Sequence, residues 1–321
     1  MDEYSGFGEP GREEQTRKVF SRVGFALSFV YAIVLVAGLL VGAVHANVAR
    51  LPSWMHEALS NAAMYMVGFP LAMMLIRAPS EDEGLNGQSG GGALRLGPAQ
   101  LGKLCVCAIA IMYIVNILTT LGLQLFTEVT GFDLSMPIDE ILGGSSLWMS
   151  LVSVTLLAPV MEEMLFRGVL YRKTAHLGPR VAIGMNGVLF GLFHGNFNQM
   201  FYAMAIGMVL AAVMHYTGNL LYCILLHAVV NFAGGAMSLI LMKLDSKLLL
   251  GLWGLIMLGM VVCGAVMAVG WMRRNGQNIR QDMASEGVSL RSIFVNPGML
   301  IFLGVFCFWA IGLPILEMLW G

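Results

Sequence analysis

The chain has 321 residues, of which 58% are hydrophobic and only 12% charged, with a mean hydropathy of +0.77. A soluble domain carries about 25% charged residues, so this composition excludes a water-soluble globular protein and predicts an all-α, polytopic transmembrane helical bundle. A formal net charge of -1 without any basic run gives no footprint for a nucleic-acid partner, and the five cysteines, all inside apolar stretches, predict neither a disulfide framework nor a cysteine metal site.

In chain order, residues 1–22 are polar and charged and are expected as a cytoplasmic N-terminal tail. The apolar run that follows begins too late and runs too long for a cleavable signal peptide. Runs that meet the length of about 20 residues needed to cross a bilayer fall near 23–44, 57–76, 103–126, 145–172, 180–194, 199–216, 220–243, 248–272 and 299–320. About nine spans are therefore expected, eight to nine. Polar linkers rich in Gly, Ser and charge occupy 77–100 and 273–298. This divides the chain into N-terminal spans (23–144), a central unit (145–235) and C-terminal spans (236–321), with no internal repeat. If the N-terminus is cytoplasmic, fifteen of the eighteen lysines and arginines lie on its side of the membrane, against Arg50, Lys243 and Lys247 on the other. That asymmetry predicts an N-in, C-out protein.

Ionisable side chains inside a bilayer are costly, about 2.5 to 3.5 kcal/mol each on lenient insertion scales, and so point to function. The central unit holds Glu162, Glu163, Arg167, His194, His227 and Asn231. Glu163 and Arg167 stand four residues apart on one helix face and can form an ion pair. Glu162 points about 100° away and has no such partner on its own helix, which leaves it for chemistry. Phe190 and His194 share a face by the same spacing, as do His227 and Asn231. Counted from the cytoplasmic ends, Glu162, His194, His227 and Asn231 lie at depths of about 15, 21, 10 and 16 Å. One intramembrane layer can hold all four. Any one of them alone reads better as a satisfied core residue, and an isolated Glu–Arg pair as structural; their co-occurrence on three helices is what points to a site.

These residues also carry a resemblance. The segments EEMLFR, FGLFH and HAVVN, in this order, match the EExxxR, FxxxH and HxxxN motifs, and the chain over 145–235 resembles the CAAX-protease and bacteriocin-processing (Abi) family of intramembrane proteases, its bacterial members in particular. The resemblance implies an endopeptidase working inside the membrane, in a helical bundle that opens toward the cytoplasm. Carried over, Glu162 as general base activates water together with His194, His227 and Asn231 stabilise the oxyanion, and Glu163 and Arg167 position the catalytic helix. It implies a membrane-anchored peptide or protein as substrate, the lipid bilayer as surroundings and the bacterial plasma membrane as location. Members have been described both as metalloproteases and as metal-independent glutamate proteases. Glu162, His194 and His227 offer the ligand count of a catalytic Zn2+ with an open fourth position, so both mechanisms stay open, with no cofactor required by the first.

Other motifs carry less. The GQSG at 87–90 matches the GxSG of rhomboid proteases but sits in a polar linker, and the Met-rich stretches read as helix packing. Pro159, three residues before Glu162, reads as a kink. Two rival readings of the whole chain are a non-proteolytic bacteriocin immunity or scaffold protein, in which Glu162 would be dispensable, and a proton-coupled transporter, which the absent repeat symmetry disfavours.

Overall fold

The computed structural model describes residues 10–48, 50–77, 92, 94–135, 147–282 and 288–320. The start of the expected tail, most of the 77–100 linker with its GQSG, and part of the 273–298 linker lie outside the described residues. Every regular element among those described is helical: α1 (Pro10–Asn47), α2 (Trp54–Arg77), α3 (Pro98–Thr130), α4 (Leu147–Leu177), α5 (Pro179–Leu192), α6 (Phe197–Thr217), α7 (Leu220–Leu241), α8 (Lys247–Asp282), α9 (Leu290–Phe294) and α10 (Pro297–Leu316). Eight of these are long and apolar enough to cross a membrane. The protein is an integral membrane protein, with α5 and α9 as its two shorter helices.

The span expected at 180–194 is α5, a helix of 14 residues. At about 1.5 Å per residue it rises only about 21 Å, short of a hydrocarbon core of about 30 Å. Local chemistry ends it. Gly195 takes a left-handed φ of 67°, which stops the helix, and the Asn196 side chain accepts from the Gln199 N–H at 2.9 Å to start α6. The same Gly-Asn pair recurs between α6 and α7, where Gly218 has φ 62° and Asn219 accepts from the Leu221 N–H at 2.9 Å. α5 and α6 are thereby antiparallel neighbours. Gly187, Gly191 and Gly207 line their interface, where a Cβ on Gly187 or Gly191 would run into α6, and one on Gly207 into α5.

α1 begins at Pro10, inside the segment expected as a tail, because Thr16 and Phe20 are fully buried and Phe20 shares a core with Ile293 of α9. Farther along, α1 meets α10. The Gly298 N–H donates to Ser21 Oγ at 3.2 Å, and higher up the Tyr31 and Trp309 rings stand 5.8 Å apart. Both sequence numbers rise in the same direction, so α1 and α10 run parallel. Gly24 and Gly298 make the contact possible, since a Cβ on either would overlap the other helix's backbone, whereas Gly38 has nothing within 4 Å of its Cβ position.

Gly24→Leu is expected to destabilise the protein by about 1 to 3 kcal/mol, the usual cost of overpacking a close contact, while Gly38→Leu leaves stability unchanged. Thermal melting in detergent of the two variants side by side checks this.

Candidate functional site

The site is built on α4, and α4 is irregular where it matters. Pro159 has no N–H to give, and the Ala158 N–H reaches back five residues to the Ser153 carbonyl in a wide π-type turn. The Val154 carbonyl is therefore left without a donor from its own helix. Asn231 of α7 supplies one, its Nδ2 donating to Val154 O at 3.0 Å. A second π-type stretch covers Phe166–Tyr171, and here Asn186 of α5 donates to the Phe166 carbonyl at 2.7 Å. Two asparagines thus tie the motif helix to its neighbours on either side of Glu162 and Glu163.

Between these ties sits a buried charge cluster. Arg167 Nη1 donates to Glu163 Oε1 at 2.8 Å, with both side chains at 0% exposure. Arg167 Nη2 donates to the Gly207 carbonyl of α6 at 2.8 Å, a contact that the small residues of the α5–α6 interface allow. The guanidinium carbon lies 4.5 Å from the centroid of the Phe190 ring, within cation–π range. Glu163 Oε1 also accepts from His227 Nδ1 at 2.8 Å. One carboxylate oxygen therefore binds both the arginine of its own helix and the histidine of α7.

The imidazoles are oriented by these bonds. His227 commits Nδ1 to Glu163, which turns Nε2 toward Glu162 Oε2 at 3.8 Å. His194 donates from Nδ1 to the Phe190 carbonyl at 2.8 Å; a carbonyl can only accept, so in the neutral ring Nε2 carries the lone pair. Both rings pack edge-on against Phe190, with centroids 5.0 Å away for His194 and 5.5 Å for His227. Phe190 is the apolar partition around which Arg167 and the two histidines are arranged.

Glu162 differs from Glu163 in access. Its side chain keeps 12% of its surface exposed, against 0% for Glu163, so the first is open at its edge and the second is closed off. Glu162 interacts electrostatically with His227, Glu163 and Arg167, and with Tyr65 and Tyr202 from α2 and α6. Tyr65 also lines a cavity of about 470 Å3 between α2 and α4, with Met66, Trp148, Met149, Val152 and Leu157 among its walls.

The structure thus brings Glu162 to His227, and Glu163 to Arg167 and His227, and it gathers both histidines on Phe190. Asn231 points to the α4 backbone rather than into the charge cluster. Asn186, Tyr65 and Gly207 lie outside the motifs. Of these only Asn186 has a sequence signal, an amide in an apolar run four residues before Phe190. Glu163 Oε2, Arg167 Nε and Asn186 Oδ1 are buried without a hydrogen-bond partner among the described residues. As donors for zinc, Glu162, His194 and His227 fit in kind, with a free imidazole nitrogen on each ring. Among the described residues, however, no group of three or more His, Cys, Asp and Glu is arranged to hold a metal ion.

Residues 144–233 match the family model described as Type II CAAX prenyl endopeptidase Rce1-like. The match spans under a third of the chain and contains all three motifs. No curated protein and no solved structure matches the chain.

Removing one partner of a buried pair leaves the other uncompensated. Arg167→Met is expected to cost about 3 to 5 kcal/mol by stranding Glu163, and the double variant Glu163→Gln with Arg167→Met to recover much of that loss. Melting temperatures of the two single variants and the double variant, analysed as a cycle, measure it.

Proposed function

We propose, from the match over residues 144–233 and the Glu162–His227 geometry beside a buried charge cluster, that the protein is an intramembrane endopeptidase acting on a membrane-anchored peptide or protein. The observation that carries the reading is that of two adjacent glutamates one is locked by Arg167 and His227, while the other stays partly open and 3.8 Å from an imidazole nitrogen. A purely structural pair has no use for the second carboxylate.

The assigned steps follow from the bonds. Glu162 takes a proton from water as the water oxygen forms its bond to the scissile carbonyl carbon. His194, its Nδ1–H held by Phe190 O, offers the Nε2 lone pair to orient that water. His227, its Nδ1 held by Glu163, presents Nε2 beside Glu162, where a hydrogen on that nitrogen would suit the oxyanion that develops on the carbonyl oxygen. The carbon–nitrogen bond breaks, and the proton held by Glu162 passes to the leaving amine. Asn231, bonded to the Val154 carbonyl, acts by docking α7 against α4 beside Glu162. Glu163 and Arg167 act as positioning residues for α4 and for the His227 ring, and Phe190 as the wall between the imidazoles. The cavity that Tyr65 lines is walled largely by apolar side chains and suits an apolar segment of the substrate.

The excess of lysine and arginine on one side supports a cytoplasmic N-terminus, and the resemblance to bacterial family members supports the bacterial plasma membrane as location. A peptide pheromone or bacteriocin precursor, a lipoprotein tail or a signalling protein would meet the site from that face.

Glu162→Gln is expected to reduce cleavage of a membrane-peptide library by about 10²- to 10⁴-fold, the usual contribution of a general base, with an unchanged melting temperature and with wild-type cleavage surviving zinc chelation. Cleavage that persists in the variant removes the assignment and favours a non-proteolytic immunity or scaffold role; loss on chelation moves Glu162, His194 and His227 to metal ligation.

A further inference from the structure

The turn that carries His194 is held from outside the segment that matches a family model. His194 follows directly on α5, where backbone carbonyls lose their helical donors. The Phe193 carbonyl, next to His194 in the chain, accepts from the hydroxyl of Tyr31 at 2.6 Å. Tyr31 lies on α1, 162 residues away in sequence. Its ring packs edge-on against Phe193 at 5.4 Å and tilted against Trp309 of α10 at 5.8 Å. The turn is fitted to this bracket. Gly195 has φ 67°, and a Cβ there would stand 2.9 Å from the Tyr31 hydroxyl and 3.6 Å from Trp309 Cβ. Phe193 in turn packs on Phe166 and Phe69, so the bracket reaches the motif helix as well.

We propose that Tyr31 is a positioning residue for His194, fixing the turn that aims its imidazole, and that Trp309 of the last span holds Tyr31 in place. The tyrosine hydroxyl pins the peptide unit between Phe193 and His194. With that unit pinned, the His194 ring keeps Nδ1–H on Phe190 O and presents Nε2 in one direction. Tryptophan behind the tyrosine ring removes the rotamer in which the hydroxyl would swing away. This gives α1 and α10 a part in the site although neither contributes a residue to the motifs. The inference rests on the proteolytic reading only for its kinetic arm.

The test uses the full-length protein in detergent, labelled with 15N-histidine, the His194 signal being identified by its loss in His194→Gln. Wild type is expected to show His194 as the Nδ1–H tautomer. Tyr31→Phe, which keeps the ring and removes only the hydroxyl, is expected to show mixed tautomers or exchange broadening, with a melting temperature close to wild type. Its kcat is expected to fall about ten-fold with KM unchanged, the size of one lost hydrogen bond expressed in rate. Trp309→Leu is expected to shift the same signal, and stands in if Tyr31→Phe does not fold. An unchanged His194 signal in the folded variants overturns the proposal, as does a lower melting temperature with the signal intact, which would make Tyr31 a brace of the fold alone. A shifted signal in a protein whose wild type cleaves nothing upholds Tyr31 and removes the proteolytic reading.

Discussion

A single carboxylate oxygen, Glu163 Oε1, organises the centre of this bundle. It accepts from Arg167 on its own helix and from His227 on α7, and Arg167 continues to the Gly207 carbonyl on α6. Three helices are thereby cross-linked by charge-assisted hydrogen bonds in a medium that supplies no water to replace them. A buried ion pair is poor evidence for net stability, because desolvating both partners offsets most of what their attraction contributes. Its value here is orientation. Each imidazole has a fixed Nδ1 partner, so the Nε2 atoms of His194 and His227 are presented in defined directions instead of sampling two ring flips.

The helices around that centre are widened at selected points. Pro159 opens α4 and frees the Val154 carbonyl, which Asn231 then satisfies; Asn186 binds the Phe166 carbonyl where a second wide turn begins. On α4 both departures from regular helix are thus matched by a polar side chain from a neighbour, as a lipid environment requires of a backbone group that leaves the helical ladder. Pro159 therefore does more than bend a long span, since it creates the acceptor that docks α7 next to Glu162.

Contacts within one helix turn are legible in the sequence, and contacts between helices are not. Glu163 with Arg167, and Phe190 with His194, follow from i,i+4 spacing alone. The bond from His227 to Glu163 depends on how α7 is rotated about its axis, which the small residues and the Asn231 tie decide, and no spacing rule reports that. Asn231 matches its motif by position, yet its visible bond repairs the α4 backbone, a use that requires knowing that the Ala158 N–H is spent on Ser153. Hydropathy reads 180–194 as a span because Leu189, Leu192 and Phe193 keep the run apolar to its end. It does not register that Gly195 and Asn196 stop the helix at 14 residues. The polar tail is misleading in the opposite sense, since charge dominates its composition while Thr16 and Phe20, at helical spacing, are buried.

The contact between α1 and α10 also bears on how the protein is made. Ser21 and Gly298 are 277 residues apart, so the bond between them closes nearly the whole chain, and long-range closure of this kind comes late in folding. During synthesis the EEMLFR, FGLFH and HAVVN helices are inserted well before α10 leaves the ribosome. Until it arrives, Tyr31 has no Trp309 beside it and the far side of the His194 turn is bare. A chain that stops before α10 would bear every motif residue and lack the Trp309 side of the His194 turn, so the order of translation itself delays the finished site until α10 has been made.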